Sequence, residues 1–487
     1  MRLSTLIAGL ATSRSGGGDP DIRDLTADSR SVSHGSLFAA LPGARHDGAA
    51  FVEEAVSRGA AAILISEPGL SSLTPPPVPV LVSRQPRLTL SQLAARFHPR
   101  QPATIVAITG TSGKTSVASF ARQIFAALGH RPASLGTLGV VVGEEERYGS
   151  LTTPDPVALH RQLDELAGDN VTHLALEASS HGLDQFRLDG VRLAAGAFTN
   201  LSHDHLDYHR TPEAYLAAKL RLVSEVMPAS ATLVVDASSE AGAAFNAAAE
   251  RRGMRVLTLG AKARDIRVTS RKRLAQGQRL AIAGCYGTAE LLLPLVGDFQ
   301  AANALVAAGL AIAVGEAPAR VFASLEALKG VKGRIERVGG VNGAAVYVDY
   351  AHKPDALDNV LDALRPYAAG RLVLVFGCGG DRDKAKRAVM GEIAKRKADI
   401  VIVTDDNPRS EDPSLIRAAI LQACPGAIEI GSRRQAIARA VEALMPGDIL
   451  VIAGKGHESG QIVGDQVLPF SDHEAARAAI SARGGQA

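Results

Sequence analysis

Short, wholly apolar runs alternate along this chain with longer stretches in which apolar residues recur every three or four positions. Runs at 104–109, 171–176, 194–198, 232–235 and 256–259 read as buried strands, and those at 345–348, 372–376, 400–403 and 449–453 form a second series. Apolar strands separated by helical patterns predict parallel sheets covered on both faces. The chain is therefore expected to hold two doubly wound α/β domains. Ahead of them, up to about residue 90, the runs 35–43 and 60–65 flank a helix-like 50–58 and predict a small α/β unit, opened by a short helix over 3–10. Its segment 68–80, with the turn pair Pro68-Gly69 and Pro75, Pro76, Pro77 and Pro79, is expected to be an extended loop. The linker-like Pro99-Arg100-Gln101-Pro102 sets the first boundary near Arg96, and the second series begins after about Lys332. The expected domains are 1–96, 97–332 and 333–487.

Composition agrees with a folded, multidomain chain. A length of 487 residues suggests three domains at roughly 100–200 residues each. A hydrophobic share of 46% with 21% charged residues is that of an ordinary globular protein. The net charge of +3 excludes a strongly basic nucleic-acid grip, so no nucleic-acid partner is expected. Three scattered cysteines support neither a disulfide framework nor a structural zinc site and fit a reducing cytoplasm. The longest apolar stretch, 304–314, is about 11 residues against the ~20 that a membrane-spanning helix needs, so no membrane span is expected.

The strongest chemical signal is Gly110-Thr111-Ser112-Gly113-Lys114-Thr115-Ser116, entered from the strand ending at Thr109 and leading into a helix-like 117–128. Backbone amides at a helix N-terminus make an anion nest, the lysine adds charge toward outer phosphates, and the threonine hydroxyl can ligate Mg²⁺. The loop is two residues shorter than G-x-x-x-x-G-K-[ST], with Ile108 where the first glycine would stand. With no Asn-Lys-x-Asp motif following, ATP is expected rather than GTP.

Glu177 ends the strand 171–176 and is a candidate Mg²⁺ ligand, the alternative being a helix cap. Residues 200–209 are dense in metal-capable side chains and nearly match the His-x-His-x-Asp-His signature of dinuclear zinc hydrolases, with Tyr208 in the place of the final histidine. A neighbouring phosphate loop favours Mg²⁺ there, and His203 and His209 read as polar loop residues. Thr211-Pro212 starts a helix as cap and first residue. On that helix Lys219, at i+4 from Tyr215, reads by spacing alone as a solvated surface lysine.

In the last third, four polar loops follow strands: 349–354, 377–383, 404–409 and 453–458. Loops at strand C-termini define one crevice, and its arginines and carboxylates suit a zwitterionic amino acid. Cys378, set between glycines without an obvious base, is given no catalytic role.

With these motifs assembled, the chain resembles the Mur ligase family along essentially its whole length. The resemblance rests on Gly-Thr-Ser-Gly-Lys-Thr, Glu-Ala-Ser-Ser-His-Gly, Asp-His-Leu-Asp-Tyr-His, Ala-Ala-Lys and Asp-Tyr-Ala-His-x-Pro-Asp, in that order. Asp406-Asn407-Pro408-Arg409 looks like the motif of the meso-diaminopimelate-adding members, and lysine-adding ones usually lack that arginine. The resemblance implies three domains: an N-terminal α/β uridine-nucleotide domain, a central phosphate-loop ATPase-like parallel sheet and a C-terminal Rossmann-like domain.

It further implies that Gly110 to Ser116, with Lys114 and Thr115 foremost, hold ATP and Mg²⁺, that Glu177 and His205 complete the metal site, and that Asn303 and Arg334 contact the nucleotide. Lys219 matches a lysine that the family carries as a metal-bridging carbamate, against the reading from spacing. Ser29, Ala44, Arg45 and His46 would bind the uridine nucleotide, and Thr152, Thr153, Ser179, Gln185 and Arg187 the muramoyl dipeptide. Arg382, Asp406, Asn407, Pro408, Arg409, Gly454 and Glu458 would bind diaminopimelate. The implied reaction is ATP-dependent amide formation through an acyl phosphate, in a cytoplasmic monomer serving peptidoglycan synthesis, cell shape and division. The C-terminal domain is expected to close on the central one during it.

The chain departs from the family pattern at Gln300, where Asn is frequent, at Ala385, where Gly is common, and at Gly460, where Tyr is usual. A folylpolyglutamate-synthetase-like ligase, a zinc hydrolase and a nucleotide-binding regulator are the rival readings. They are opposed respectively by Asp28-Ser29-Arg30 with the Asn-Pro-Arg motif, by Tyr208 with the phosphate loop, and by Glu177, His205 and Lys219 together.

Overall fold

The computed structural model describes every residue except Ala11, 44–46, Ser72, Leu73, Tyr148, Ser150, His203, Ala237, Ala275, Gln276 and Ala487, and the Leu206 side chain. The chain divides into two compact units, Met1–Arg267 with Ala283–Gly287 and Leu305–Val321, and Val268–Ile282 with Thr288–Ala304 and Phe322–Ala487.

The first unit opens with β1 (Ser13–Ser15), β2 (Asp24–Thr26), β3 (Ser36–Ala40), β4 (Ala62–Ser66) and β5 (Val80–Ser83), in the order β1-β5-β4-β3-β2 with β1 alone antiparallel. Alternate residues of its strands serve opposite faces. Leu37, Ala39, Leu64 and Leu81 pack with Leu3 and Leu6 of α1 (Leu3–Ile7) and with Leu90 and Leu93. Phe38, Ala40, Ile63 and Ile65 pack on the other face with α2 (Val52–Ser57). The expected loop is shorter than its prolines suggest, because α3 (Glu67–Ser71) contains Pro68-Gly69. Ser66 Oγ accepts the Gly69 amide at 3.2 Å, and proline is tolerated in a first helical turn, where its missing N–H has no partner to lose.

Helix α4 (Pro86–Phe97) closes this layer. The chain beyond it is tied to the next sheet's connections: Ser91 Oγ donates to the Arg187 carbonyl at 3.3 Å, and the Gln101 amide bridges Gly190 O and Arg192 N at 2.9 Å each.

The large sheet follows, with β6 (Thr104–Thr109), β7 (Pro132–Gly136), β8 (Gly139–Val142), β9 (Glu145–Arg147), β10 (His173–Glu177), β11 (Leu193–Phe198), β12 (Thr232–Val235) and β13 (Arg255–Gly260). Their order is β13-β12-β11-β6-β10-β7-β8-β9, parallel from β13 to β7 and antiparallel over β8 and β9. Helices α5 (Lys114–Ala127), α6 (Pro156–Gly168), α7 (Ser180–Asp184), α8 (Leu206–His209), α9 (Pro212–Arg221) and α10 (Glu240–Arg251) connect them. Strands β6 and β10 are buried almost throughout, which explains their unbroken apolar runs. The division between the units falls within β14 (Ile266–Leu274), β15 (Gly277–Gly284), β16 (Gly287–Leu293) and α11 (Asp298–Ala313). Helix α12 (Pro318–Ser324) follows and is likewise divided between the units, after Val321.

The second unit holds a six-stranded sheet of β17 (Glu336–Val341), β18 (Ala344–Asp349), β19 (Leu372–Phe376), β20 (Ile400–Val403), β21 (Ile428–Glu429) and β22 (Ile449–Ala453), in the order β17-β18-β22-β19-β20-β21. One face packs Leu374, Phe376 and Val451 against α13 (Pro354–Leu364), α14 (Lys386–Lys397) and α15 (Pro413–Ala423). The other packs Val373, Val375 and Leu450 against α16 (Arg433–Glu442) and α17 (Asp472–Ala482). A hairpin, β23 (Gly460–Val463) with β24 (Gln466–Pro469), stands apart from the sheet order. Among the described residues no helix is long and apolar enough to cross a membrane.

Candidate functional site

In the first unit, β6 delivers the chain to Gly110, and α5 begins at Lys114 with Gly113 as its left-handed cap at φ 87°. The Thr111 amide is held by Asn200 O at 2.8 Å and the Ser112 amide by Asn200 Oδ1 at 3.0 Å. Lys114, Thr115 and Ser116 then form the first turn of the helix, the arrangement that receives anions.

Glu177 lies one strand away, in register with Ile108 and buried. Its carboxylate accepts the Thr137 amide at 2.9 Å and the Thr137 hydroxyl at 3.2 Å, so its two oxygens are oriented by the turn after β7. A Cβ on Gly136 would collide with this carboxylate, so the glycine makes the approach possible.

Lys219 corrects the reading from spacing. Tyr215, Ala218 and Lys219 form the buried face of α9, and the lysine is only 1% exposed. Its Nζ donates to Gly110 O at 2.9 Å and lies 4.4 Å from the Tyr215 ring centre. Burial foremost, and then the charge of Lys114, drive its pKa well below that of an ordinary lysine, against the pull of Asp204.

His205 has φ 53° and places Nε2 3.5 Å from Asp204 Oδ2. His209 is a second correction. It ends α8 rather than lying in a polar loop and is buried, its ring 5.2 Å from that of Tyr215 and 5.4 Å from that of His181. The packing of α8 against α9, invisible in local sequence, explains this. His203 lies outside the described residues, as do Ala44, Arg45 and His46.

Beside Glu177 runs a connected polar set. Thr153 Oγ donates to Glu177 O at 2.8 Å and accepts from the Ser179 amide at 3.0 Å; Ser179 Oγ caps α7 by accepting from Gly182 N. Arg187 donates to Thr153 O at 2.6 Å and to Gln185 Oε1 at 2.8 Å, and Thr152 Oγ lies 3.1 Å from Thr137 Oγ. Thus Thr152, Thr153, Ser179, Gln185 and Arg187 do assemble. Ser29 lies in the N-terminal layer, its hydroxyl on Glu54 at 3.3 Å.

In the second unit, Gln300 donates to Arg334 O at 2.9 Å, and Asn303 lies one helical turn on, 3.5 Å from the Gln300 oxygen. The Gln300 departure thus has a structural use. The Arg334 guanidinium lies 4.9 Å from the Tyr350 ring centre, and its Nε is buried without a hydrogen-bond partner among the described residues. Asp349 accepts the Ile335 and Ala351 amides, each at 2.7 Å, and burial raises its pKa to about 6.

The strands β18, β22, β19 and β20 are successive neighbours, so their four C-terminal loops share one edge of the sheet, as expected. Asn407 donates to Glu458 Oε2 at 3.0 Å, and Arg409, at φ 53°, donates to Gly380 O at 2.9 Å. Pro408 is buried between them. Gly454 has φ 122° and lies so close to Asp406 that a Cβ would stand 2.5 Å from Oδ2. Arg382 is exposed. Cys378 is buried 3.7 Å from Met390 Sδ, and burial raises its thiol to about 11, consistent with the absence of a nucleophilic role.

Sequence reasoning missed the supports beneath this crevice. The fully buried Lys455 donates to Asn407 Oδ1 and Glu458 Oε2, both at 2.9 Å. Arg433, paired with Asp472 at 2.7 Å and fully buried with it, donates to Ala453 O at 2.9 Å. Lys455 sits inside the 453–458 loop and was open to notice, whereas Arg433 and Asp472 carry no motif.

Three family models match the chain in order: "Mur ligase family, catalytic domain" over residues 21–98, "Mur ligase middle domain" over 108–311 and "Mur ligase, glutamate ligase domain" over 333–456. The UDP-N-acetylmuramoyl-L-alanyl-D-glutamate--2,6-diaminopimelate ligase of Bradyrhizobium diazoefficiens is 56% identical over 467 residues, 95% of this chain and 96% of that protein. A solved structure of a ligase with the same name has a TM-score of 0.70 at 32% identity, covering 95% of each chain. The Mycobacterium tuberculosis folylpolyglutamate synthase complexed with ADP shares the fold at a TM-score of 0.62 and 20% identity, over 76% of this chain and 91% of its own. Matched from its N-terminal layer through its last sheet, the chain belongs to the Mur ligase family.

Proposed function

We propose that this chain is an ATP-dependent amide ligase that adds meso-2,6-diaminopimelate to UDP-N-acetylmuramoyl-L-alanyl-D-glutamate in peptidoglycan precursor synthesis, as a cytoplasmic monomer. The relatives' names supply the substrate pair. The observation that carries the reading is the convergence of Lys114 and Lys219 on the Gly110 carbonyl, at 2.8 and 2.9 Å, beside a strand that ends in the buried Glu177. Residues 1–96, 97–332 and 333–487 would respectively hold the uridine nucleotide, ATP and the incoming amino acid.

The residues present fit ATP with Mg²⁺. The helix-opening amides and Lys114 suit phosphate. Thr115 and Glu177 offer the hard oxygens that Mg²⁺ takes, and His205 would add an imidazole. Lys219, as a neutral amine, can add carbon dioxide, forming an N–C bond and releasing a proton to give a carbamate oxygen donor. When bound, Mg²⁺ would neutralise phosphate charge.

In the reaction, a D-glutamate carboxylate oxygen bonds to the γ-phosphorus as the bond to ADP breaks. The diaminopimelate amine then attacks the acyl carbon, and phosphate leaves with the electron pair as the amine loses its proton. Arg187 and Gln185 would hold the dipeptide. Arg409 would pair with the carboxylate that lysine lacks, and Asp406 and Glu458 with the ammonium beside it. Positioning and charge neutralisation account for most of the catalysis such a site needs.

The test is ADP release from ATP with the UDP-muramoyl dipeptide, comparing diaminopimelate with lysine. Release with diaminopimelate, abolished by EDTA, is expected. Equal rates with lysine would refute the specificity, and no release with either would refute the ligase reading.

A further inference from the structure

We propose that Tyr208 is a positioning residue for the muramoyl-dipeptide substrate, its hydroxyl setting the orientation of the Gln185 amide and, through it, of Arg187. The proposal rests on the reading of Gln185 and Arg187 given above.

The Tyr208 hydroxyl donates to Asp184 Oδ2 at 2.7 Å and accepts from Gln185 Nε2 at 3.1 Å. A carboxylate can only accept, so Asp184 takes the phenol proton and leaves the phenol oxygen free to accept. That acceptor faces the Gln185 nitrogen, and the Gln185 oxygen therefore faces Arg187, whose Nη2 donates to it at 2.8 Å. The other end of Arg187 is fixed by Thr153 O at 2.6 Å, and Thr153 is itself bonded to Glu177 O at 2.8 Å. Arg187 thus donates in two directions, through Gln185 and Tyr208 to Asp184 on one side and to the Thr153 carbonyl on the other, while the Thr153 hydroxyl reaches the backbone of the candidate metal ligand.

The two ends of a glutamine amide are nearly isosteric, and the donor-only guanidinium on one side and the accepting phenol oxygen on the other together fix which way it points. Flipped, the amide would present its NH₂ to a guanidinium, donor against donor, and the Arg187 bond would be lost. The phenol is well placed for this. Its ring lies 4.2 Å from that of His181, and burial with Asp184 raises its pKa above the ordinary tyrosine value, which keeps the proton in place. Packing alone needs only the ring, so phenylalanine separates the two roles.

The experiment measures steady-state kinetics of Tyr208→Phe with each substrate varied in turn. The expected result is a rise of about 3- to 10-fold in KM for the UDP-muramoyl dipeptide, the effect of one neutral hydrogen bond, with a smaller change in kcat and unchanged KM for ATP and diaminopimelate. In a double-mutant cycle, Tyr208→Phe should add little to Gln185→Ala, because the phenol acts through that amide. An unchanged dipeptide KM, parallel changes for all three substrates, or full additivity with Gln185→Ala would overturn the proposal. Wild-type protein that turns over the dipeptide separates such a failure from one of the ligase reading, and wild-type protein inert toward it would overturn both.

Discussion

Lys114 and Lys219 share one acceptor: the carbonyl oxygen of Gly110 lies 2.8 Å from the first Nζ and 2.9 Å from the second. Two ammonium groups converging on one carbonyl repel each other, and burial sharpens the cost. Lys219 is buried, and that burial, with the charge of Lys114, pushes its pKa well below that of an ordinary lysine. A buried lysine with a lowered pKa spends more of its time as the neutral amine, the form that reacts with carbon dioxide.

Incubation with ¹³C-bicarbonate should give a carbamate resonance in the wild-type protein that is missing in Lys219→Ala, and this variant should lose about 100-fold or more in kcat. A variant retaining wild-type kcat would remove Lys219 from the chemistry.

Arg409→Ala tests amino-acid choice. A lost charge-assisted pair amounts to about 1.5–3 kcal/mol, so KM for diaminopimelate should rise roughly 10- to 100-fold while that for ATP holds. The discrimination against lysine should shrink by a similar factor. Unchanged selectivity would mean that the guanidinium, bonded to Gly380 O, serves only the loop.

Gly454→Ala should weaken diaminopimelate binding without touching the dipeptide. Its Cβ would stand 2.5 Å from Asp406 Oδ2, on a backbone with φ 122° that side chains rarely adopt. A raised KM confined to the amino acid is expected in kinetics with each substrate varied.

Acid stability offers a separate check. Burial lowers His160 to about 4, whereas an unfolded histidine titrates near 6.5. The unfolded chain therefore binds the proton more readily between these values, and stability falls as pH drops from about 6.5 toward 4. The contribution is up to about 3 kcal/mol for this one group. Urea unfolding of His160→Gln across that range should show a flatter pH dependence than wild type, and an equally steep one would count against a neutral, buried His160.

Much of this protein was legible from its residues alone. The strands at 104–109, 232–235, 372–376 and 449–453 announce themselves because parallel strands buried on both faces must be apolar throughout. The Gly110 to Ser116 loop and the edge shared by Asp406, Arg409, Gly454 and Glu458 follow, since loops at strand C-termini meet once the strand order is set. Pro68-Gly69 misled because the Ser66 hydroxyl caps a helix there.

Lys219 and His209 were settled by tertiary structure. Burial of a helix face depends on what packs against it, and one charged residue within an apolar pattern looks the same whether it faces water or the Gly110 carbonyl. The same holds for Arg433, Asp472 and the bond from Tyr208 to Gln185, whose partners come from separate elements. Sequence thus determined which strands form and which chemistry-bearing loops they carry, because backbone pattern and motif spacing are local. The lowered pKa of Lys219 and the orientation of Gln185 were decided only by the fold, because they depend on desolvation and on partners brought from distant segments.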